Sequence, residues 1–327
     1  MLRHSVFTAW LALGLLFAML WLERLLVPAP AVPGESAAPL PDGPAAPMSV
    51  RVLHGEEIVD TPLEDYLVGV VAAEMPADFE SEALKAQAVA ARTYTLYCMR
   101  TGRHANADVC TDYRCCQAWK SGAAMREGWG EAYAEKLARI RQAVNETRGE
   151  VLCWEGEAVF AAFHSSSAGF TEDCGAIWSG LPYLVSVSSP EDAGTVPGYV
   201  STVERSPLDF RDTLLSVSPE ADFSGAPESW IGEIRRDLSG RVSEAELGGT
   251  AFTGVKLREL FALRSTAFDL VFTDGVFRFT VTGFGHGVGM SQYGANVMAA
   301  QGADYRTILA HYYPGTELNY IKSLCAS

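Results

Sequence analysis

Positively charged residues are scarce in this chain of 327 residues. It has 25 Lys and Arg against 40 Asp and Glu, which gives a formal net charge of −15 at pH 7. Such a chain repels polyanions at long range, so the composition argues against nucleic acid and anionic lipid head groups as the main ligands. Any anionic substrate must therefore meet a local cluster of cations.

Two sequence patterns are also missing. No internal repeat is visible, and no Gly-Lys-Ser/Thr follows the glycines near the C-terminus, which excludes a phosphate loop of the Walker type. Hydrophobic residues nevertheless make up 48% of the chain. The sequence is therefore that of a globular protein, with one large domain or two modest ones.

Formal charge is absent from Ser5 to Leu22, where Leu, Ala, Phe, Met and Trp dominate. This run is long enough to cross a bilayer. The sequence predicts a transmembrane anchor over residues 1–28 with a short cytoplasmic start, a Pro- and Ala-rich linker over 29–48, and an extracytoplasmic domain over 49–327. We expect a single-pass protein of the cell membrane with its N-terminus in the cytoplasm. A cleaved signal peptide is the alternative.

The remainder of the chain mixes helical and strand patterns. Turn residues between short apolar runs predict hairpins around His54-Gly55, Glu155-Gly156 and Asp274-Gly275. Apolar residues at helical spacing predict helices over Leu63 to Glu74, Ser81 to Met99 and Glu131 to Glu146, the first stopped by Pro76. Residues 206–264 alternate acidic helix-like and turn-like pieces. We expect an α+β fold of helices and antiparallel hairpins, with two lobes around a substrate groove.

The chain has seven cysteines, so they cannot all pair within one molecule. Four potential zinc ligands fall in one short segment: His104, Cys110, Cys115 and Cys116. A disulfide, from Cys110 to Cys116 or from Cys115 to Cys325, is the alternative at this stage. Outside this segment, a bridge from Cys153 to Cys174 fits the predicted strands, and Cys98 is expected to be a buried free thiol.

Three segments are unusually rich in polar groups. Glu74 ends a predicted helix among small apolar residues, where burial would raise its pKa as a general acid requires; alternatively it is solvated or pairs with Lys85 or Arg92. The hydroxyl-rich segment 163–171 is either a sugar-binding loop or a polar turn. In segment 283–294, alternating glycines let backbone amides approach a ligand closely.

Five motifs in order resemble one known family. They are Val70-Val-Ala-Ala-Glu-Met-Pro76, the run from Glu82 to Tyr94, His164-Ser-Ser-Ser-Ala-Gly-Phe-Thr-Glu172, Gly285-His-Gly-Val-Gly-Met-Ser-Gln-Tyr-Gly294 and His311-Tyr-Tyr-Pro-Gly-Thr316. Together they closely resemble the stage II sporulation protein D family of lytic transglycosylases, which also includes amidase enhancers. The resemblance runs from about Ser49 to Tyr320.

The resemblance implies an enzyme that cleaves the bond between N-acetylmuramic acid and N-acetylglucosamine in peptidoglycan, with formation of a 1,6-anhydro end. It places the catalytic acid/base on Glu74. It further implies peptide-free glycan as substrate during engulfment in sporulation, and a cell-wall amidase and membrane proteins of the engulfment machinery as partners. A non-catalytic wall-binding protein that stimulates an amidase is the alternative function.

The family's zinc-bearing members use one His and two Cys at six-residue steps. This pattern falls on His104, Cys110 and Cys116, leaves Cys115 without a role, and implies a structural zinc ion. For the substrate, Arg92 is a candidate to pair with a lactyl carboxylate of the glycan, and a helix salt bridge is the alternative for this side chain. The other candidate binding residues are Gln87, Tyr94, His164, Ser165, Ser166, His286, Ser291 and Gln292.

Overall fold

The computed structural model describes residues 48–321 of the chain. The predicted anchor over 1–28, almost all of the linker and Cys325 lie outside this range. Within it, no helix combines the length and the apolar character needed to cross a membrane. The described residues form a mixture of helices and mostly antiparallel sheets, which confirms the predicted α+β class.

The helices are α1 (Leu63–Glu74), α2 (Ser81–Thr101), α3 (Gly122–Trp129), α4 (Tyr133–Glu146), α5 (Pro207–Leu215), α6 (Gly254–Phe261), α7 (Gln292–Ala300) and α8 (Tyr305–Tyr312). The strands are β1 (Ser49–His54), β2 (Glu57–Pro62), β3 (Val109–Cys110), β4 (Glu150–Trp154), β5 (Glu157–Ala158), β6 (Phe163–His164), β7 (Val200–Arg205), β8 (Ile231–Arg236), β9 (Val242–Leu247), β10 (Thr250–Thr253), β11 (Phe268–Thr273), β12 (Val276–Thr282), β13 (Met290–Ser291) and β14 (Glu317–Tyr320). The three helices predicted before residue 150 and all three hairpins are confirmed.

Helix α2 lies at the centre of the first hydrophobic cluster. It packs against α1, α4, α7, α8 and β4. Its run from Ala86 to Ala91 is buried on every side, as expected for a helix surrounded by other elements. Alanine suits this position because it has the highest helix propensity and lets neighbouring helices approach closely.

The end of α1 determines where Glu74 lies. Met75 has φ −126° and ψ 138°, an extended conformation that is favoured because the proline ring of Pro76 clashes with a helical preceding residue. The helix therefore ends at Glu74, as the sequence predicts, and the chain turns away immediately after the carboxylate.

A second hydrophobic cluster is built from α5, α6 and the sheets β10-β9-β8 and β11-β12-β7. Its core is aromatic: the Phe210 and Phe277 rings stack with centroids 3.9 Å apart, and Trp230 stacks on Phe277 at 5.5 Å. The prediction of helix-like and turn-like pieces over residues 206–264 misses the sheet β8 to β10. Its strands carry charged residues on their exposed face, as in Val242–Leu247, so apolar residues are too sparse to show the strand pattern clearly.

The cysteines are free thiols wherever the structure describes them. Cys98 is buried, as predicted. The predicted bridge from Cys153 to Cys174 is wrong. The thiol of Cys174 accepts a hydrogen bond from Leu181 N at 3.0 Å and donates to Ser179 O at 3.2 Å, so it is already satisfied within its own loop.

Candidate active site

A groove of about 800 Å³ opens beside the C-terminal end of α1. Its walls come from the segments 113–117, 160–165, 178–181 and 284–286, together with Glu74, Arg103, two residues of α2 and one residue each of α6 and α7. Six of the ten predicted catalytic and substrate-binding residues line it: Glu74, Tyr94, His164, Ser165, His286 and Gln292. The fold thus brings four motifs that are far apart in the sequence to one surface.

Glu74 is the one Asp or Glu among the described residues that line this groove. Its Oε1 accepts a hydrogen bond from the backbone N–H of Ala118 at 2.7 Å. Burial raises the pKa of Glu74, and the hydrogen bonds from Ala118 and Gln292 offset part of that rise. The carboxyl group is therefore held in place in a setting that favours its protonated form.

The alternative partners considered for Glu74 are occupied elsewhere. Lys85 forms ion pairs with Glu82 at 2.8 Å and Glu146 at 2.7 Å. Among the described residues Glu74 has no ion pair, so its proton affinity is set mainly by burial.

Gln87 lies behind the groove rather than in it. Its buried Oε1 accepts a hydrogen bond from Gln292 Nε2 at 3.4 Å, and Gln292 in turn bonds to Glu74. Gln87 therefore helps to orient Gln292, while Gln292 reaches the carboxylate directly.

The predicted contact of Arg92 with substrate is wrong. Its side chain is fully buried, and its NH2 donates to Glu64 Oε2 at 2.6 Å and to the carbonyl of Val144 at 3.1 Å. Arg92 ties α2 to α1 and α4 inside the first cluster, where no ligand in the groove can reach it. Removing one partner of such a buried ion pair strongly destabilises the folded protein.

Ser166 and Ser291 also fail to reach the groove, which corrects their predicted roles. Ser291 is buried and caps α7: its Oγ accepts from Gly294 N at 3.1 Å and donates to the carboxylate of Glu191. The backbone N–H and C=O of Ser166 pair with Phe284. Both serines fix the backbone of the loops that form the groove wall.

Both groove histidines are neutral. His286 Nδ1 accepts from Val288 N at 3.1 Å, so the proton of the neutral ring is on Nε2. Burial, followed by the charges of Arg258 and Arg241, lowers the pKa of His286 to about 4. The pKa of His164 is lowered for the same reason, burial first.

The arrangement around His164 does not form a catalytic Ser-His pair with Ser165. His164 Nε2 bonds to Ser167 Oγ at 2.7 Å, and His164 Nδ1 bonds to the carbonyl of Val288 at 3.2 Å. Since Ser167 is fully buried, its hydroxyl is not accessible as a nucleophile. This pair holds the wall of the groove together.

The sequence interpretation missed the aromatic and cationic lining. Trp178 is about half exposed and contacts Phe160, with centroids 5.4 Å apart, and His286 at 5.1 Å. Arginines 103, 114 and 258 also line the groove. Trp178, Phe160 and the three arginines stand in none of the five motifs, so only the fold reveals them.

His104, Cys110, Cys115 and Cys116 form one cluster whose ligand atoms all lie within 4.8 Å of one another. His104 Nε2 is 3.3 Å from Cys116 Sγ and 3.7 Å from Cys115 Sγ, and the two sulfurs are 4.0 Å apart. Ligands on a tetrahedral zinc ion are about 3.5–3.8 Å apart, so the four residues fit the metal. Cys115, which the sequence leaves without a role, completes a Cys₃His set.

Comparison with known proteins agrees with these motifs. A family model described as stage II sporulation protein matches residues 54–154. Two relatives named stage II sporulation protein D, from Bacillus amyloliquefaciens and Bacillus subtilis (strain 168), are each 38% identical to this chain, over 84% of it and over 79% and 80% of their own lengths. A protein of Bacillus subtilis (strain 168) named amidase enhancer is 29% identical over 77% of this chain and 40% of its own length. The chain belongs to the stage II sporulation protein D family, which confirms the resemblance.

Proposed function

We propose that this protein is a peptidoglycan lytic transglycosylase and that Glu74 is its general acid and base. The observation that carries the proposal is a single carboxyl group with a raised pKa in a groove large enough for sugars. Hydrolytic glycosidases generally need two carboxylates, because water or an enzyme nucleophile acts on the opposite face of the sugar ring. A lytic transglycosylase uses the C6 hydroxyl of its own substrate instead, so one carboxyl group suffices.

Protonated Glu74 donates its proton to the glycosidic oxygen between N-acetylmuramic acid and N-acetylglucosamine, and the bond from that oxygen to C1 breaks. The C6 hydroxyl oxygen of the muramoyl residue then bonds to C1 while the Glu74 carboxylate takes the hydroxyl proton. The products are a 1,6-anhydro end and a new 4-hydroxyl, with Glu74 protonated again. Because the nucleophile belongs to the substrate, much of the entropic cost of bringing the reactants together is avoided.

The other groove residues have binding roles in this proposal. Trp178 and Phe160 offer an apolar surface for the faces of sugar rings, as aromatic side chains do in ligand pockets. Tyr94, with its hydroxyl 3.2 Å from Arg103 NH1, and Ser165 offer hydrogen bonds to hydroxyl and acetamido groups. Gln292 positions Glu74.

The Cys₃His cluster has a structural role here. Four protein ligands close a tetrahedral zinc site and leave no open position for water. When bound, zinc supplies a cross-link between the segment around His104 and the segment from Cys110 to Cys116, next to the groove wall formed by Gln117. The chemistry rests on Glu74.

The predicted location and partners complete the proposal. Residues 1–28 anchor the protein in the cell membrane with the N-terminus inside, and the linker lets the domain reach peptidoglycan outside. Family membership supports a role in sporulation, and the relative named amidase enhancer supports a cell-wall amidase as partner. That relative also favours the second candidate function, a non-catalytic protein that stimulates an amidase.

The test is product analysis by mass spectrometry after incubating the purified protein with glycan strands, with and without stem peptides. The expected products carry 1,6-anhydro ends and disappear with Glu74→Gln. Ends that have gained water, or full activity in Glu74→Gln, would contradict the mechanism. Strand binding without any cleavage by the native protein would favour the second candidate.

A further inference from the structure

The groove has a local excess of positive charge in a strongly acidic chain. Three arginines line it against one carboxyl group, Glu74, although the whole chain has a net charge of −15. Since His164 and His286 are neutral at pH 7, this excess comes from the guanidinium groups. They form the local cluster of cations that an anionic substrate needs in this protein.

The three arginines differ in their partners. Arg114 is exposed and donates to Asp112 at 2.9 Å, so its charge is already paired. Arg103 donates to the hydroxyl of Tyr94. Arg258 donates through Nε to the carbonyl of Leu263 at 3.3 Å, just beyond the end of its own helix α6. Within residues 48–321 no Asp or Glu lies at ion-pair distance from Arg258.

A second guanidinium, which is fully buried, acts on Arg258. Arg241 is 1% exposed, and within the described part of the chain its three guanidinium nitrogens have no hydrogen-bond partner. Its nearest carboxylate oxygen is Glu172 Oε2, 3.6 Å from Nε. It lies against the Gly-rich loop, because a Cβ at Gly287 would be 2.6 Å from its Cζ.

The two guanidinium groups act on each other and on the groove wall. Burial, and after it the charge of Arg241, lowers the pKa of Arg258. Burial, and after it the charges of Arg258 and Arg241, lowers the pKa of His286. The carboxylates that act on Arg241 are those of Glu172, Asp237 and Glu191. Among the described residues, by contrast, Arg258 has only a neighbouring cation and is left without a direct counterion. An anion bound at the exposed side of Arg258 would be that counterion.

We propose that Arg258 is the carboxylate-binding residue of the groove and that its ligand is the lactyl carboxylate of a muramoyl residue in the glycan strand. The guanidinium fork matches a carboxylate in shape and charge, and Nε is already held by Leu263, so the terminal nitrogens are left for the ligand. The inference rests on the proposed function. It transfers to Arg258 the role that the sequence assigned to Arg92, and it gives residues 206–264 a function: they deliver this cation to the groove.

The experiment measures binding by the full chain carrying Glu74→Gln, so that strands are not consumed. The probes are peptide-free glycan strands with free lactyl carboxylates and the same strands after conversion of these groups to neutral methylamides. A hydrogen bond between charged groups corresponds to about a tenfold or larger difference in affinity. The chain should prefer the free carboxylates by that factor, and adding Arg258→Gln should abolish the preference.

The matched control is Lys256→Gln, which removes one positive charge from the same helix. Lys256 pairs with Glu259 at 3.1 Å and does not line the groove, so the preference should remain. Arg258→Lys should keep part of it. Melting temperatures show that each variant is folded.

The inference is overturned if Arg258→Gln keeps the preference or weakens binding to both strands equally. It is also overturned if neither strand binds to the parent chain. Failure of the proposed function appears differently. If strands bind in a carboxylate-dependent way but the native protein never forms anhydro ends, the subsite stands and the transglycosylase proposal falls.

Discussion

Glu74 and Glu191 both accept hydrogen bonds from the backbone, yet they lie in regions of opposite kind. Glu74 faces the groove and accepts one backbone N–H, from Ala118. Glu191 is buried and accepts from Ser167 N and Ser189 Oγ, each at 2.6 Å, and from Ser291 Oγ. In one region the carboxyl group is accessible and few of its oxygen lone pairs are satisfied, while in the other the carboxylate accepts three hydrogen bonds.

This difference divides the family's motifs into two groups with different roles. In the proposed mechanism, the motif that ends at Pro76 supplies the general acid, Glu74. The motifs around Ser167 and Ser291 meet at Glu191, and Ser189 extends the network to Tyr312 OH at 2.8 Å. Three distant segments are thus joined at one buried carboxylate, which places the walls of the groove. The presence of a residue in a shared motif therefore does not show that it contacts substrate.

The largest effect is expected from Glu74→Gln. Gln keeps an oxygen to accept from Ala118 but cannot transfer a proton, so the rate of anhydro-end formation should fall by about 10²–10⁴-fold. The free energy of unfolding should change by less than about 1 kcal/mol, because a partly buried ionisable group is replaced by a neutral one of the same shape. Rates come from product analysis and stability from urea unfolding.

Glu80→Gln is the control for that change. Glu80 is exposed at the start of α2, makes no side-chain cap bond and does not line the groove. Its rate and stability should match those of the native protein. A loss of stability in Glu74→Gln as large as its loss of rate would remove the contrast between the two regions.

The second-largest effect is expected from Glu191→Gln. This change should lower stability rather than activity. The amide replaces one of two acceptor oxygens with a donor that faces Ser and N–H donors, so buried hydrogen bonds are lost and the free energy of unfolding should fall by about 3 kcal/mol. Below the melting transition, activity should fall far less than in Glu74→Gln. Urea unfolding and product analysis on the same preparation measure both.

Asp192→Asn serves as its neighbour control. Asp192 is exposed and its Oδ1 accepts from Gly194 N at 2.9 Å, a bond that the Asn oxygen also makes. If Asp192→Asn destabilises the protein as much as Glu191→Gln, the buried network is not what holds this loop.

How far the sequence predicts this site depends on the range of the interactions involved. Helix α1 and its end at Glu74 follow from local rules, namely apolar spacing and the steric effect of Pro76. Ser291 misled the prediction because a cap serine among glycines has the same sequence pattern as a ligand-binding serine. Its partner Glu191 is 100 residues away.

Long-range packing accounts for the remaining errors. Arg92 pairs with Glu64 across two helices, and nothing in its own helix shows that. Arg258 and Trp178 reach the groove from segments without a recognisable pattern. Cys115 lies in the His/Cys cluster because β3 and the turn after it bring the thiols together. A spacing rule based on every sixth residue does not include it.

The smallest expected effect concerns Glu172, a third carboxylate that lies between the two extremes. It is buried and accepts from Asp173 N at 2.9 Å and Ser239 Oγ at 3.0 Å, so it joins the turn after β6 to the turn between β8 and β9. Burial, followed by the nearby Asp237, raises the pKa of Glu172 to about 7.

The sign of the resulting pH effect follows from proton binding. Between the unfolded pKa of about 4.5 and the folded value of about 7, the folded protein holds this proton more firmly than the unfolded chain. The contribution of Glu172 to stability is therefore fully present below about pH 4.5 and is lost as the pH rises through about 7. From pH 5 to pH 8 the loss should be about 2 kcal/mol.

Glu172→Gln tests this, because Gln does not titrate. Lowered pKa values make His164 and His286 contribute with the opposite sign, so the informative quantity is the difference in unfolding free energy between native protein and variant at each pH. That difference should shift by about 2 kcal/mol against the native protein from pH 5 to pH 8, whereas Asp173→Asn, at an exposed neighbour, should show no shift. A pH-independent difference would mean that Glu172 is ionised throughout and pairs with Arg241, and the buried region would then differ from the groove in its charge as well as in its accessibility.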